Sequence, residues 1–512
     1  MRFRKSKLVL VLVTLGVFLT ACSTGGGGTG GKDTLTVASS ADAVTFDIQN
    51  TNDQATTRVA RQMYEPLIQQ NDALELVPGL AESWTALDDT TYEFKLKKDV
   101  KFHNGEPFTA KDVEYTMKRA AESEQIGHIV GELDVSKIKV VDDYTIQLGT
   151  KEPFGPFLTH LAHPATAILN EKAVTEGGED YGTNPVGTGP YKFASWIAGS
   201  EINVERFEDY HGTPGATEKI KFKVIKENSV RLISLETGEI DIAYDIAPSD
   251  IAKVEENKDL TMLKDPNLST GYIGFNVQSD TPIKDVKVRQ AINYAIDVDA
   301  ILSTVYQGVG SKANGPLNHL VFGADKNPLG YEYDVEKAKA LLTEAGYPTG
   351  GFTLKLYVGD NNAQRIAIAE IVKEELSKLG ITVEITQLEW ATYLDATGKG
   401  EHDLFILGWT TITTDADYGL YPLFHSSEFG KAGNRSFYKN ERVDELLDKG
   451  KSTVNPDERL AIYKEAQELI SVDAPWIFVN DGENDTAISN KVKGFAHHPS
   501  GSHFLSGVSV ED

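Results

Sequence analysis

Catalytic side chains are present in this chain without the spacing that would let them act together. No GxSxG elbow and no HExxH pair occurs, so neither a strained serine nucleophile nor two zinc-binding histidines with a general base between them is available. Gly450-Lys451-Ser452 copies the end of a phosphate loop, but Glu445 stands where that motif starts on glycine. The triplet therefore reads as a helix end and a turn. Gly187-Thr188-Gly189 runs into Pro190, which lacks the N–H that a phosphate-binding helix start needs. The eleven histidines are scattered, with only His160 near His163 and His497 beside His498, and that spacing defines no metal ligand set. Binding chemistry is better placed. The run Asp403 to Leu407 opens directly into Gly408-Trp409-Thr410, and in open α/β sheets ligands collect at the carboxyl ends of strands.

The elements that must position this segment are legible from periodicity. Tyr92, Phe94 and Leu96, and again Tyr144, Ile146 and Leu148, alternate as half-buried strands, most simply antiparallel. Between them Thr109 and Asp112 make a capping-box start to the helix VEYTMKRAA. Further on, Thr353 to Val358 alternates as a strand, and Ala363 to Leu379 puts Ile368, Ile371, Val372, Leu376 and Leu379 on one helical face. Gly380 stops that helix and Ile381 to Leu388 alternates again. Strand, helix and strand in that order predict a right-handed parallel crossover, hence an α/β fold. No internal repeat is present.

The N-terminus is basic at Arg2, Arg4, Lys5 and Lys7, then apolar from Leu8 to Ala21, then reaches Cys22. This reads as a secretory signal, too short to span a bilayer comfortably. Leu19-Thr20-Ala21-Cys22 resembles the bacterial lipobox, so residues 1–21 are expected to be removed and Cys22 acylated. The Gly-rich residues 22–32 would then form a flexible tether. Cys22 is the only cysteine, which excludes an intramolecular disulfide and a thiolate metal cluster. The 512 residues carry a net charge of −26, and losing the four leader cations leaves about −30. Such a body is repelled by nucleic acid and by anionic lipid. Residues 22–512 are too many for one core, so two or three domains are expected.

Several ordered blocks resemble the family 5 extracellular solute-binding proteins of peptide, nickel and glutathione importers. They are Ala81-Glu-Ser-Trp84, TYEFKLKKDVKFHNGEPFTAKDVEYTMKRA from Thr91 to Ala120, and NPVGTGPYKF from Asn184 to Phe193, then VKVRQAINYAID from Val286 to Asp297 and Tyr438-Lys-Asn440 before VDELL. The resemblance implies a two-lobed periplasmic-binding-protein-like α/β fold of class II, cluster C type, with three domains and an interlobe cleft. Residues 33–59, 186–280 and 490–512 would form one first-lobe domain, 60–185 a second, and 281–489 the other lobe. The crossings would fall near Asn276 to Pro282 and Ser489 to Lys491 and act as the hinge.

The same resemblance implies binding without chemistry, no cofactor and no metal. The partners would be a small peptide-like solute and the permease subunits of an ABC importer, with the receptor acting as a lipid-anchored monomer on the outer face of the membrane. A nickel, haem or other metal-complex receptor of the same family is the alternative, and a secreted hydrolase is the rival from another class. Gly408, Trp409 and Thr410 would lie beside the ligand, which would pair with their backbone as an added strand. The third position after the Gly-Trp pair, usually acidic in peptide-binding relatives, is Ile412. The segment through Thr411, Thr414, Asp415 and Asp417 is instead similar to the glutathione-binding branch. Asp415 and Asp417 would hold an ammonium and Arg435 a carboxylate. Phe46, Asp47, Asn276 and Trp390 complete the implied cleft residues.

Overall fold

The computed structural model describes residues 32–511 apart from 52, 128, 361, 431 and 432. The leader, Cys22 and nearly all of the tether lie outside the described residues. The fold is organised by two long strands, Leu260–Phe275 and Trp476–Ser489. They pair antiparallel, with Lys264 opposite Asp485 at one end and Ile273 opposite Ile477 at the other, and the register breaks between Pro266 and Thr270. A break of this kind bends and twists the ladder locally.

On one side of this pair an eleven-stranded sheet continues through Ile242–Ala243, Thr34–Ser39, Lys219–Val224, Glu201–Arg206 and Tyr191–Ile197. On the other it continues through Leu404–Thr410, Thr353–Gly359 and Thr382–Leu388, and the short strand Ser311–Lys312 pairs with Asp481 and Asn480 of the second long strand as the eleventh. The two halves are the two lobes, and the long strands carry the chain between them. Leu260 and Ala487 pack in a first-lobe core. Leu268, Tyr272 and Trp476 pack in a second-lobe core. The two long strands thus contribute to the cores on both sides, ahead of Asn276 in one and of Ser489 in the other. Tyr272 and Trp476 stack flat, their ring centroids 3.4 Å apart and their planes 4° from parallel.

A separate four-stranded sheet contains Ala81–Asp88, Thr91–Leu96, Thr145–Gly149 and Lys139–Asp142. Its Phe94, Ile146 and Leu148 bury against Val113 and Met117 of helix Ala110–Glu122. The strand pairing is antiparallel and the Thr109–Asp112 capping box is formed, as the alternation and spacing indicated. Thr353–Gly359 and Thr382–Leu388 pair in parallel on either side of helix Ala363–Ser377 in the chain. Gly450-Lys451-Ser452 closes helix Glu441–Ser452. One reading changes. Gly408-Trp409-Thr410 is not a loop after the strand but its last three residues, paired with Ser269 to Gly271.

Candidate functional site: a cleft with charge at both ends

Between the lobes lies a cleft of about 670 Å3, within the roughly 300–1,000 Å3 usual for small-ligand sites. Its second-lobe wall includes Gly271, Tyr272, Arg365, Gly408, Trp409 and Thr410, and its first-lobe wall includes Gln54, Arg58, Arg231 and Asp245. An adjoining hollow of about 210 Å3 reaches Asp53, Pro164, Ile412 and Tyr418.

Two of the three cleft guanidiniums are already satisfied. Arg58 grips Asp245 through two bonds of 2.8 Å. Arg231 donates to the carbonyls of Ile225, Tyr244 and Asp245 and to Asn228 Oδ1, at 2.6–2.9 Å. These two stiffen the first-lobe wall. Arg365 differs: it forms no ion pair with any described carboxylate, and its Nη2 lies 3.2 Å from where a Cβ on Gly408 would sit. It stands in the first turn of helix Ala363–Ser377, whose cap Asn362 accepts its backbone N–H at 2.9 Å. A cation there opposes the helix macrodipole. Helix end and guanidinium together make a seat for an anion such as a carboxylate.

The opposite charge sits on the crossing strand. Glu483 and Asp485 both line the cleft. Burial raises the Asp485 carboxyl to about 7, helped by Glu483, which shares a hydrogen bond with it. Asp485 Oδ1 is buried without a partner. The cross-strand neighbour of Asp485, Lys264, is bonded to Glu255 at 2.6 Å. The pair is thus poised to accept a cation. A ligand spanning the cleft would meet a positive seat at one end and a negative one at the other.

Of the residues singled out from sequence, Gly408, Trp409 and Thr410 line the cleft. The others are engaged elsewhere. Phe46 is fully buried in a first-lobe core against Phe193 and Trp196. Asp47 is clamped by Arg119 at 2.5 and 2.9 Å. Asn276 donates to the carbonyls of Gly400 and His402, and Trp390 lies along Tyr393. Thr411 is buried and bonded through its N–H to Leu268, while Thr414 accepts a 2.6 Å bond from Gln70 of the first lobe.

Asp415 is not among the residues that line the cleft. It caps helix Ala416–Phe424 and is held bidentately by Arg459 at 2.6 and 2.8 Å, which already neutralises its charge. Asp417 is buried with Oδ2 3.8 Å from His160 Nε2 of the first lobe, outside the cleft lining. Arg435 is buried near the carbonyl of Leu394 and does not line the cleft either. Arg365, Glu483 and Asp485 were missed. Their signals were available: a cation in a helix first turn, and acids at every second position, Asp481, Glu483 and Asp485, of the strand WIFVNDGENDTAIS. Among the described residues no three His, Cys, Asp or Glu side chains converge as a metal site.

Two lobes joined by paired crossing strands, with a polar cleft between them, define a solute-binding receptor. The chain belongs to the bacterial extracellular solute-binding proteins, family 5, whose central model matches residues 75–431. It is 35% identical to a glutathione-binding protein of Pectobacterium atrosepticum over 88% of this chain and 89% of that one. It is 32% identical to the dipeptide-binding protein of Escherichia coli over 85% and 86% of the two chains. A solved structure, the ABC transporter-associated periplasmic binding protein DppA from Helicobacter pylori with the peptide STSA, superposes with a TM-score of 0.82 at 29% identity, covering 94% of this chain and 98% of that one. The protein is thus the extracytoplasmic substrate-binding component of an ABC importer and works with permease subunits.

Proposed function

We propose that the cleft takes a short zwitterionic peptide, glutathione or a dipeptide, with its carboxylate on Arg365 and its ammonium on Glu483 and Asp485. The observation that carries this reading is the pair of uncommitted, oppositely charged groups facing one 670 Å3 cleft. Every other charged group on the walls described above is already paired or saturated. The names of the relatives support the same ligand class. Binding contacts made to both lobes favour a closed arrangement over an open one, and delivery to the permease follows without chemistry in the receptor.

Calorimetry and thermal shift against glutathione, Ala-Ala, a tetrapeptide and nickel test this reading. A ligand at a hundred times its Kd adds about 2.7 kcal/mol to stability. Glutathione or Ala-Ala should raise the melting temperature, and X-ray scattering should show a smaller radius of gyration with helix content unchanged. A response to nickel alone would replace this reading with the metal-complex receptor.

The lipid anchor belongs to the same proposal. Cys22 precedes the first strand, Thr34–Ser39, by twelve positions in the sequence, so Cys22→Ser should leave the melting temperature unchanged while moving the protein from the membrane fraction to the medium. Retention of that variant on membranes in high salt would show that something other than an acyl chain holds it. The receptor is expected to act as a monomer, which the same scattering measurement reports.

A further inference from the structure

The floor of the cleft beside Arg365 is bare backbone. Gly408 and Gly271 are register partners on neighbouring strands, and Gly271 is in turn the partner of Asn480 on the third. Register partners project to the same side of a sheet. One row therefore runs Arg365, Gly408, Gly271, Asn480 across the sheet face. The row is closely fitted: a Cβ on Gly408 would sit 3.2 Å from Arg365 Nη2, and one on Gly271 would collide with Asn480 Oδ1. Asn480 is 8% exposed, lines the cleft, and its Oδ1 is buried with no hydrogen-bond partner. A buried carbonyl acceptor left unmatched costs about 1–3 kcal/mol. Its persistence beside an open cleft points to a donor supplied from outside the chain.

We propose that Asn480 Oδ1 accepts the N–H of the ligand's last amide bond while Arg365 holds the carboxylate that follows it, with the two glycines leaving room for that unit to lie flat. This inference rests on the peptide-receptor reading above. The dimensions agree. Neighbouring strands are roughly 5 Å apart, and an amide nitrogen lies roughly 3–4 Å from the carboxylate oxygens of its own residue. Hydrogen bonds of about 2.9 Å at each end bridge the rest. The ligand class this selects is one with a secondary amide immediately before a free carboxylate. Dipeptides and glutathione qualify; a free amino acid, an imino acid at the last position, or a peptide ester or amide does not.

The test compares glutathione with its analogue in which glycolate replaces glycine, so that an ester oxygen stands where the last N–H was and the carboxylate remains. The wild type should bind the ester roughly two- to tenfold more weakly, the range for one neutral hydrogen bond. Asn480→Val suits a strand and has no acceptor, so it should bind both forms equally. Asn480→Asp keeps an acceptor and should keep the preference for the amide even as the added charge weakens both ligands. Gly271→Ala fills the floor and should weaken both. Equal binding of amide and ester by the wild type, or an undiminished preference in Asn480→Val, overturns the inference and leaves the receptor reading standing. If neither glutathione nor Ala-Ala binds the wild type, both fall.

Discussion

Arg365→Gln should weaken binding of glutathione or Ala-Ala by about thirtyfold to several thousandfold. The ligand carboxylate would remain in the cleft with its charge partner gone, and truncating one side of a desolvated, hydrogen-bonded charge pair costs about 2–5 kcal/mol or more. Arg365→Lys keeps the charge but not the planar fork, so it should recover only part of the loss. The stability of the empty protein should move the other way. Arg365 has no ion pair with a described carboxylate, and it stands in the first turn of helix Ala363–Ser377. Replacing a cation there with a neutral side chain should stabilise the unliganded protein by about 0.3–1 kcal/mol. Calorimetry gives the first quantity and denaturant unfolding without ligand the second. Unchanged affinity in Arg365→Gln would remove the carboxylate seat. A large fall in unliganded stability would make the residue a structural one.

The contrast between Arg365 and the acids chosen from sequence shows where a linear reading stops. The alternation of Thr91–Leu96 and Thr145–Gly149 and the strand, helix and strand from Thr353 to Leu388 depend on neighbours in sequence, and all appear in the fold. Whether a carboxylate is available to a ligand depends on partners far away in the chain. Asp415 is consumed by Arg459, 44 residues on. Asp47 is consumed by Arg119, 72 residues on. Asp417 is buried at the meeting of the two lobes, facing His160. Glu483 and Asp485 are exposed to the cleft because the two long strands change lobes around them. Gly408-Trp409-Thr410 was recognisable from its strand-end position. That its floor is shared with Gly271 and Asn480 follows only from the register of three strands.

Affinity for Ala-Ala should rise as the pH goes from 5 to 7, by up to about tenfold per unit, and fall again above about 8. Asp485 is raised to about 7 by burial first and by Glu483 next, with Asp245 adding to the effect and Lys264 opposing it. Below that pH Asp485 holds a proton in the empty cleft. An ammonium takes its place only when the proton has left, so binding releases it. A process that releases one proton gains a factor of ten per pH unit while the proton is bound, and nothing once it is gone. Above about 8 the peptide's own α-amine deprotonates and the attraction is lost. The ligand carboxylate keeps its charge throughout. Calorimetry in two buffers of different protonation enthalpy counts the released proton directly at pH 6. Asp485→Asn should flatten the rise between pH 5 and 7. Asp417 is also raised to about 7, by burial first and by Asp415 next, but it lies outside the cleft lining, and Asp417→Asn should leave the slope in place. Loss of the slope in Asp417→Asn with its retention in Asp485→Asn would move the titrating group to the contact with His160 and away from the ligand's ammonium.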